Sequence, residues 1–319
     1  MKSREENISF KTLNALINVL SFIIPVVGVV RIARKSKGMV GAKIVTSIFY
    51  CVFWIYSVCV IYALFWTLYN SMKTDNMFYE NMLSLPEKIN FVNYAEAYKY
   101  IEYNDTSFFG MFINSIWFAA GASFLSVLMH TVTGYIFAKY KFFGKEVAFA
   151  FILFTIALPI VGSLPSQYKV NYSLGLNDSP LILITFLGGF GGNFLITYAF
   201  FKGVDKTYME AAQIDGAGRF CIFAKIMIPL AVGPFFALFL LSFITQWNNY
   251  ETAILFLDNM PTLASGLYQF GELMKFSDAT SPHMTYFAGV MMSALPVVLL
   301  VAFFGNKLME NVSVGGIKG

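Results

Sequence analysis

The chain has 319 residues, 57% of them hydrophobic and 13% charged, with a formal net charge of +4. Soluble globular domains carry about a quarter charged residues, so this composition cannot cover a water-facing surface, and a bilayer is the solvent that accepts it.

From the N-terminus, residues 12–30 are uncharged but hold Pro25 and Gly28 and precede Arg31, Arg34, Lys35 and Lys37. They predict either an extra membrane span or a helix lying in the inner interface beside anionic lipid. A cleaved signal peptide fits poorly, because the basic cluster follows the apolar region and no small-residue cleavage site appears.

Six further stretches lack Asp, Glu, Lys and Arg: Lys43 to Lys73, Asp105 to Lys139, Glu146 to Lys169, Asp178 to Lys202, Lys225 to Glu251, and Asp278 to Lys307. Each has room for the roughly 20 residues that cross a hydrocarbon core of about 30 Å. Backbone in lipid must satisfy its own hydrogen bonds, so six runs predict six helices, an all-α polytopic membrane protein. If the first run starts in the cytoplasm, the inner side holds 17 of the 22 Lys and Arg, and the outer side 11 of the 18 Asp and Glu. That asymmetry puts the N-terminal segment (1–43) and the C-terminus inside, with residues 44–319 as the membrane domain.

Cys51 and Cys59 fall in the first run and Cys221 in an inner loop, so no disulfide is expected. The outer loop at 73–105 has Pro86 as a breaker, and Trp66, Tyr69, Tyr94, Tyr98 and Tyr103 in and beside it suit a headgroup-level or partner-facing surface. In the third run Pro159 and Pro165 predict a kink or an early end. In the fourth, Gly188 and Gly192 of the stretch Gly188-Gly189-Phe190-Gly191-Gly192 share a helix face, which predicts close packing. His130, one of two histidines, is the one intramembrane group that could serve a coupled carrier; a hydrogen-bonded packing role suits it better. No phosphate loop, no Cys/His cluster with metal spacing and no paired catalytic carboxylates appear, which speaks against an enzyme.

The polar interruption between the fourth and fifth runs, 203–229, is the feature that asks for a function. Met209, Glu210, Ala211, Ala212 and Gln213 are good helix formers, and Gly216 and Gly218 mark a turn after about two helical turns. A second short helix restarts at Arg219 and runs to Ile226, with Pro229 opening the fifth run. The product is a charge-edged elbow on the inner face.

Glu210-Ala211-Ala212, Gly216, Ile226 and Ile228-Pro229 resemble the EAA loop of ABC importer permeases, with Ile228 in place of the usual Leu. The extended form runs through Ile214, Asp215 and Ala217. Within that superfamily the chain resembles the smaller subunit of the maltose-type carbohydrate permeases. Ser71-Met72-Lys73-Thr74, Leu85-Pro86, Asn93-Tyr94, Asn114-Ser115, Gly134-Tyr135, Ala138, Phe143-Gly144, Trp247-Asn248 and the Gly315–Gly319 tail carry that likeness across 44–319. Asp205, where the family often has Pro, and Asn249-Tyr250, in place of a common Asp-Phe, depart from it.

The resemblance implies a type I importer transmembrane domain in the bacterial cytoplasmic membrane, without ATPase activity or cofactor of its own. It implies a second homologous permease subunit, two ATPase subunits binding ATP-Mg, an extracellular solute-binding protein and a sugar or oligosaccharide substrate, and no nucleic acid. Glu210, Ala211, Ala212, Asp215, Gly216, Ala217, Arg219, Ile226 and Pro229 would couple to the ATPase, and Gly315, Gly316 and Lys318 of the tail could touch it. For a neutral hydroxylated solute the candidate path residues are Asn193, Tyr198, Trp247, Asn248 and Asn249. The alternative is a self-contained carrier or channel for a neutral polar solute.

Overall fold

The computed structural model describes residues 40–158, 162–275 and 283–314, with side chains from 44 to 305 within these limits. The readings of residues 12–30 and of Gly315, Gly316 and Lys318 lie outside the described residues. By its internal contacts the chain divides into two compact units, one running to Asn70 and including 81–86, the other holding the rest.

The first unit contains helix α1 (Val40–Asn70), 31 residues and so about 46 Å long. Its apolar residues lie all round the helix, and Ile48, Phe53, Tyr56 and Phe65 are each more than half exposed. A helix without a polar face that stays bare within its own unit is covered by lipid or by another chain. In the 81–86 segment the Asn81 carboxamide accepts from the Leu83 and Ser84 amides at 2.9 and 3.1 Å.

The second unit is built on α4 (Phe108–Lys139). Ser107 caps its first turn by accepting from the Gly110 amide at 3.3 Å. Against α4 pack α7 (Gly192–Gly203) and α10 (Ile228–Trp247). At one end of the unit α2 (Asp75–Glu80) and α3 (Val92–Tyr100) precede α4; α11 (Tyr250–Phe256) and α12 (Leu263–Met274) follow α10, and α13 (His283–Val314) closes the unit against α3, α10 and α12. Side chains tie these segments together: Asn104 donates to the Asp258 carboxylate at 2.7 Å, Ser115 accepts from the Leu263 amide at 2.7 Å, and Thr285 donates to Glu96 at 3.1 Å. Tyr94 and Tyr103 of the expected aromatic surface pack into this layer, whereas Tyr98 is exposed.

Four helices among the described residues are long and apolar enough to cross a membrane: Ile44–Asn70, Phe108–Lys139, Arg219–Trp247 and His283–Gly305. The third apolar run is broken where Pro159 and Pro165 predict a kink or an early end, and the fourth, expected as a single helix, is broken as well. The third contributes α5 (Lys145–Ala157) and α6 (Leu164–Ser173); the fourth contributes a three-ten segment (Pro180–Phe186) and α7. At 13 and 12 residues, α5 and α7 reach about 20 and 18 Å, short of a core about 30 Å thick. The cause is backbone chemistry that hydropathy does not see. Alpha5 stops two residues before Pro159, Pro165 sits in the first turn of α6, and Pro180 opens the three-ten segment.

Non-helical backbone at this depth requires protein partners. Alpha4 supplies them. Thr133 donates to the Gly189 carbonyl at 2.6 Å, and Thr197 donates to the His130 carbonyl at 2.7 Å. Close approach is made by Gly134, Gly189 and Gly191: an added Cβ would lie 2.3 Å from Thr197 Oγ1, 2.5 Å from Thr133 Cγ2 and 3.0 Å from His130 Nε2. The expected pair, Gly188 and Gly192, would each meet nothing within 4 Å. The glycine packing is real, but it belongs to the neighbours of the predicted pair, because the segment before Gly192 is not helical. His130 is buried, with Nδ1 2.5 Å from the Ser126 carbonyl, and serves this packing.

Candidate functional site: the inner elbow

The elbow forms as its residues dictate. Alpha8 (Thr207–Ile214) begins with Asp205, whose carboxylate accepts from the Thr207 amide at 3.0 Å and the Thr207 hydroxyl at 2.7 Å. Those two bonds hold the Asp205 carboxyl below its usual range. Asp205 thus satisfies the first amide of the helix from the position before its N-cap, Lys206. The helix ends in a Schellman turn. Gly216 takes φ +78°, its amide donates to the Gln213 carbonyl at 3.0 Å, and the Ala217 amide donates to the Ala212 carbonyl at 2.9 Å.

The chain then enters α9 (Arg219–Ile222), one wide π turn (Phe223–Met227) in which the Ile228 amide reaches the Phe223 carbonyl, and α10 with Pro229 in its first turn. Arg219 to Trp247 is therefore one uninterrupted helical rod, about 43 Å long. The elbow's second arm is the start of the fifth span.

The two faces of the elbow differ. Its inner face buries Met209, Ala212 and Ile222 with Tyr135, Phe201, Met227 and Ala231, and Ala217 and Ile226 pack against them. Tyr135 is central: its ring lies 4.9 Å from Phe223 and 5.3 Å from Phe201, and its hydroxyl is 3.2 Å from that of Tyr140. Arg219 stands over the Tyr140 ring at 5.8 Å, and the Lys139 ammonium donates to the Val204 carbonyl. The outer face presents Glu210, Ala211 and Asp215 beside Tyr208, with a groove of about 640 Å³ lined by Asp205, Tyr208, Ala211 and Asp215 among others. At the corner, Ile214 and Phe220 are 87% and 81% exposed. Nothing among the described residues covers these two large apolar side chains.

Of the coupling residues proposed from sequence, Glu210, Ala211, Asp215, Gly216 and Arg219 lie on the exposed side, while Ala212, Ala217 and Ile226 serve the inner packing. Sequence reasoning did not single out Tyr208 and Phe220, and named Ile214 only within the extended motif; bulky apolar residues within an otherwise polar loop were the available signal. It also missed the floor, Tyr135 with Tyr140, which no local pattern links to residues 80 positions later.

The five candidate path residues do not converge. Trp247 is a core residue: 2% exposed, it stacks on Phe243 and donates its indole N–H to the Ser293 carbonyl at 3.1 Å. Asn249 caps α11 by accepting from the Thr252 amide at 3.0 Å, and Asn248 donates to the Ile244 carbonyl at 2.8 Å. Asn193 donates to Ser242 at 3.2 Å, between α7 and α10. Tyr198 packs on Phe149 at 4.8 Å, with the Lys202 ammonium over its ring at 5.8 Å. Asn193 is half-buried on a facing pair of helices, Tyr198 is half-buried beside α5, and Asn248 is exposed.

Comparison with known proteins adds the following. Residues 130–308, more than half of the chain and the whole elbow, match the family described as binding-protein-dependent transport system inner membrane component. The chain is 25% identical to a diacetylchitobiose uptake system permease of Streptomyces coelicolor, over 82% of this chain and 85% of that one. It is 30% identical to an arabinooligosaccharides transport system permease of Halalkalibacterium halodurans, over 65% and 74%. Against the maltose/maltodextrin transport system permease of Vibrio vulnificus the identity is 28%, over 65% and 71%. A crystal structure of a bacterial ABC transporter involved in import of the acidic polysaccharide alginate matches at TM-score 0.67 and 21% identity, covering 85% of this chain and 99% of that one. The last likeness speaks for the fold, that of an importer transmembrane domain.

Proposed function

Because this chain belongs to the binding-protein-dependent transport system inner membrane component family, we propose that it is one permease subunit of an ATP-driven importer of sugars or oligosaccharides. Its partners are a second permease subunit, two ATPase subunits that bind ATP-Mg, and an extracellular solute-binding protein. It lies in the bacterial cytoplasmic membrane with elbow and C-terminus on the cytoplasmic side. The relatives named above, each a permease for a saccharide, support the substrate class.

The observation that carries the reading is the union of exposed corner and unbroken rod. An ATPase surface that grips Tyr208, Ile214 and Phe220, with polar contact to Glu210, grips the end of the Arg219–Trp247 helix. Closure of the ATPase pair then moves α10 as a body, since the Schellman turn and the Tyr135 floor leave little slack between elbow and span. At the far end Trp247 is held by Ser293 of α13 and lies edge-on to Phe112 of α4, 5.8 Å away. A push at the elbow therefore reaches the outer packing layer, which is what alternation of access requires.

Glu210→Lys tests this. The variant should insert normally while ATP-dependent uptake of a labelled oligosaccharide, and stimulation of the ATPase, fall roughly tenfold or more, the scale of truncating or reversing a charge at an interface. Uptake at the unmodified rate would overturn the coupling role. Gradient-driven transport by the purified chain alone in liposomes would favour a self-contained carrier instead.

A further inference from the structure

A second feature on the basic side of the membrane is unconnected with the elbow's exposed corner. Between Tyr140 and α5 the chain turns through Gly144, at φ +75°, and opens a pocket of about 910 Å³. Its lining includes Lys141, Lys145, Phe143 and Tyr198. Lys145 donates one proton to the Tyr140 carbonyl at 3.0 Å, which holds its ammonium at the pocket wall with two protons to spare. Lys202 of α7 lies outside the lining, its ammonium over the ring of the lining residue Tyr198. Glu146 is the one acidic lining residue, against two lysines.

From this cluster an apolar stripe climbs α5. Val147, Phe151 and Phe154, spaced four and three residues apart on one helix face, are 76%, 65% and 59% exposed. Phe143, at the foot of the stripe, is fully exposed. Cations at the level where the membrane meets the cytosol, with a bare hydrocarbon track leading from them into the bilayer, match a molecule that is anionic at one end and apolar along its length.

We propose that this pocket binds an anionic glycerophospholipid of the inner leaflet, its phosphate between Lys141 and Lys145 and one acyl chain along Val147, Phe151 and Phe154. The site is independent of which solute the protein carries. Charge complementarity selects the lipid: a zwitterionic headgroup gains little from two lysines, whereas phosphatidylglycerol brings a net negative charge. Its place beside α7, whose C-terminal end runs into the elbow, puts the bound lipid against the floor of the moving part.

The test uses the full chain purified in detergent, with phosphatidylglycerol or phosphatidylcholine added and bound lipid counted by native mass spectrometry. The unmodified chain should hold one phosphatidylglycerol well above the rest, and gain thermal stability from it that phosphatidylcholine does not give. The double variant K141Q/K145Q should bind that lipid about tenfold more weakly, as expected for cations near an anionic surface, while K141R/K145R keeps it. Equal binding of the two lipids by the unmodified chain, or unchanged phosphatidylglycerol binding in K141Q/K145Q, overturns the proposal. So does Val147→Cys that cross-links in membranes to a second permease chain, since the stripe would then be a subunit contact.

Discussion

Two glycine-rich interruptions lie within 30 residues of each other, and they exist for opposite reasons. At the elbow Gly216 has nothing near its missing side chain, and glycine is there because the backbone is left-handed. In the fourth run Gly189 has no left-handed φ, and glycine is there because Thr133 of α4 occupies the place of a Cβ. The first is a matter of conformation and the second of space. A sequence shows both as helix breakers; only the physical cause says which substitutions each will bear.

The contrast is sharpest at the α4–α7 contact. Gly134→Ala should cost about 3 kcal/mol, the upper end of overpacking, because its Cβ would meet Thr197 Oγ1 at 2.3 Å and the Tyr198 backbone nitrogen at 2.9 Å, and backbone cannot step aside. Thermal unfolding in detergent measures this; an unchanged transition would mean that the two helices are not so close. Gly216→Ala comes next, at about 1–2 kcal/mol for a left-handed residue, and Gly216→Asn should recover much of it. If Ala and Asn behave alike there, the left-handed turn is not what glycine supplies.

Asp205→Ala follows, with a smaller effect confined to α8 and readable as faster amide exchange at Thr207. Since the folded-state pKa of Asp205 lies below its unfolded value, its contribution is present above the ordinary carboxylate pKa. It fades as the pH falls through the lowered value, so the variant and the parent should converge in acid. Gly188→Ala should do least: with open space around it and no left-handed φ, it ought to be neutral, and a large loss would refute the assignment of close packing to Gly189 and Gly191.

Much of the elbow was legible in the sequence because its determinants are local: Glu210-Ala211-Ala212 make helix, Gly216 makes the corner, and Pro229 starts the span. The spans were legible as apolar runs, and the break in the third from Pro159 and Pro165, but the break in the fourth was not. Hydropathy counts side chains, whereas Pro159, Pro180 and the Gly188–Gly192 stretch act on backbone geometry and on partners supplied by α4. The candidate path was the least legible part. Within apolar helices, a Trp or Asn satisfied by a neighbour's carbonyl, as Trp247 is by Ser293, has the same composition as one that faces a solute. Only the three-dimensional pairing separates them.

The wide turn at Phe223–Met227 has a consequence for inheritance. It holds one residue beyond the ordinary helical count, so everything from Ile228 onward is rotated by about 100° relative to the arm beneath it. The angular phase between the gripped corner and the membrane-facing sides of α10 is therefore stored in a number, not in any side chain. Conservative exchanges along the turn leave that phase intact. Excising a single codon there would turn α10 by about 100° and carry part of its packed face out of the packing, without changing composition in any way a hydropathy profile could register.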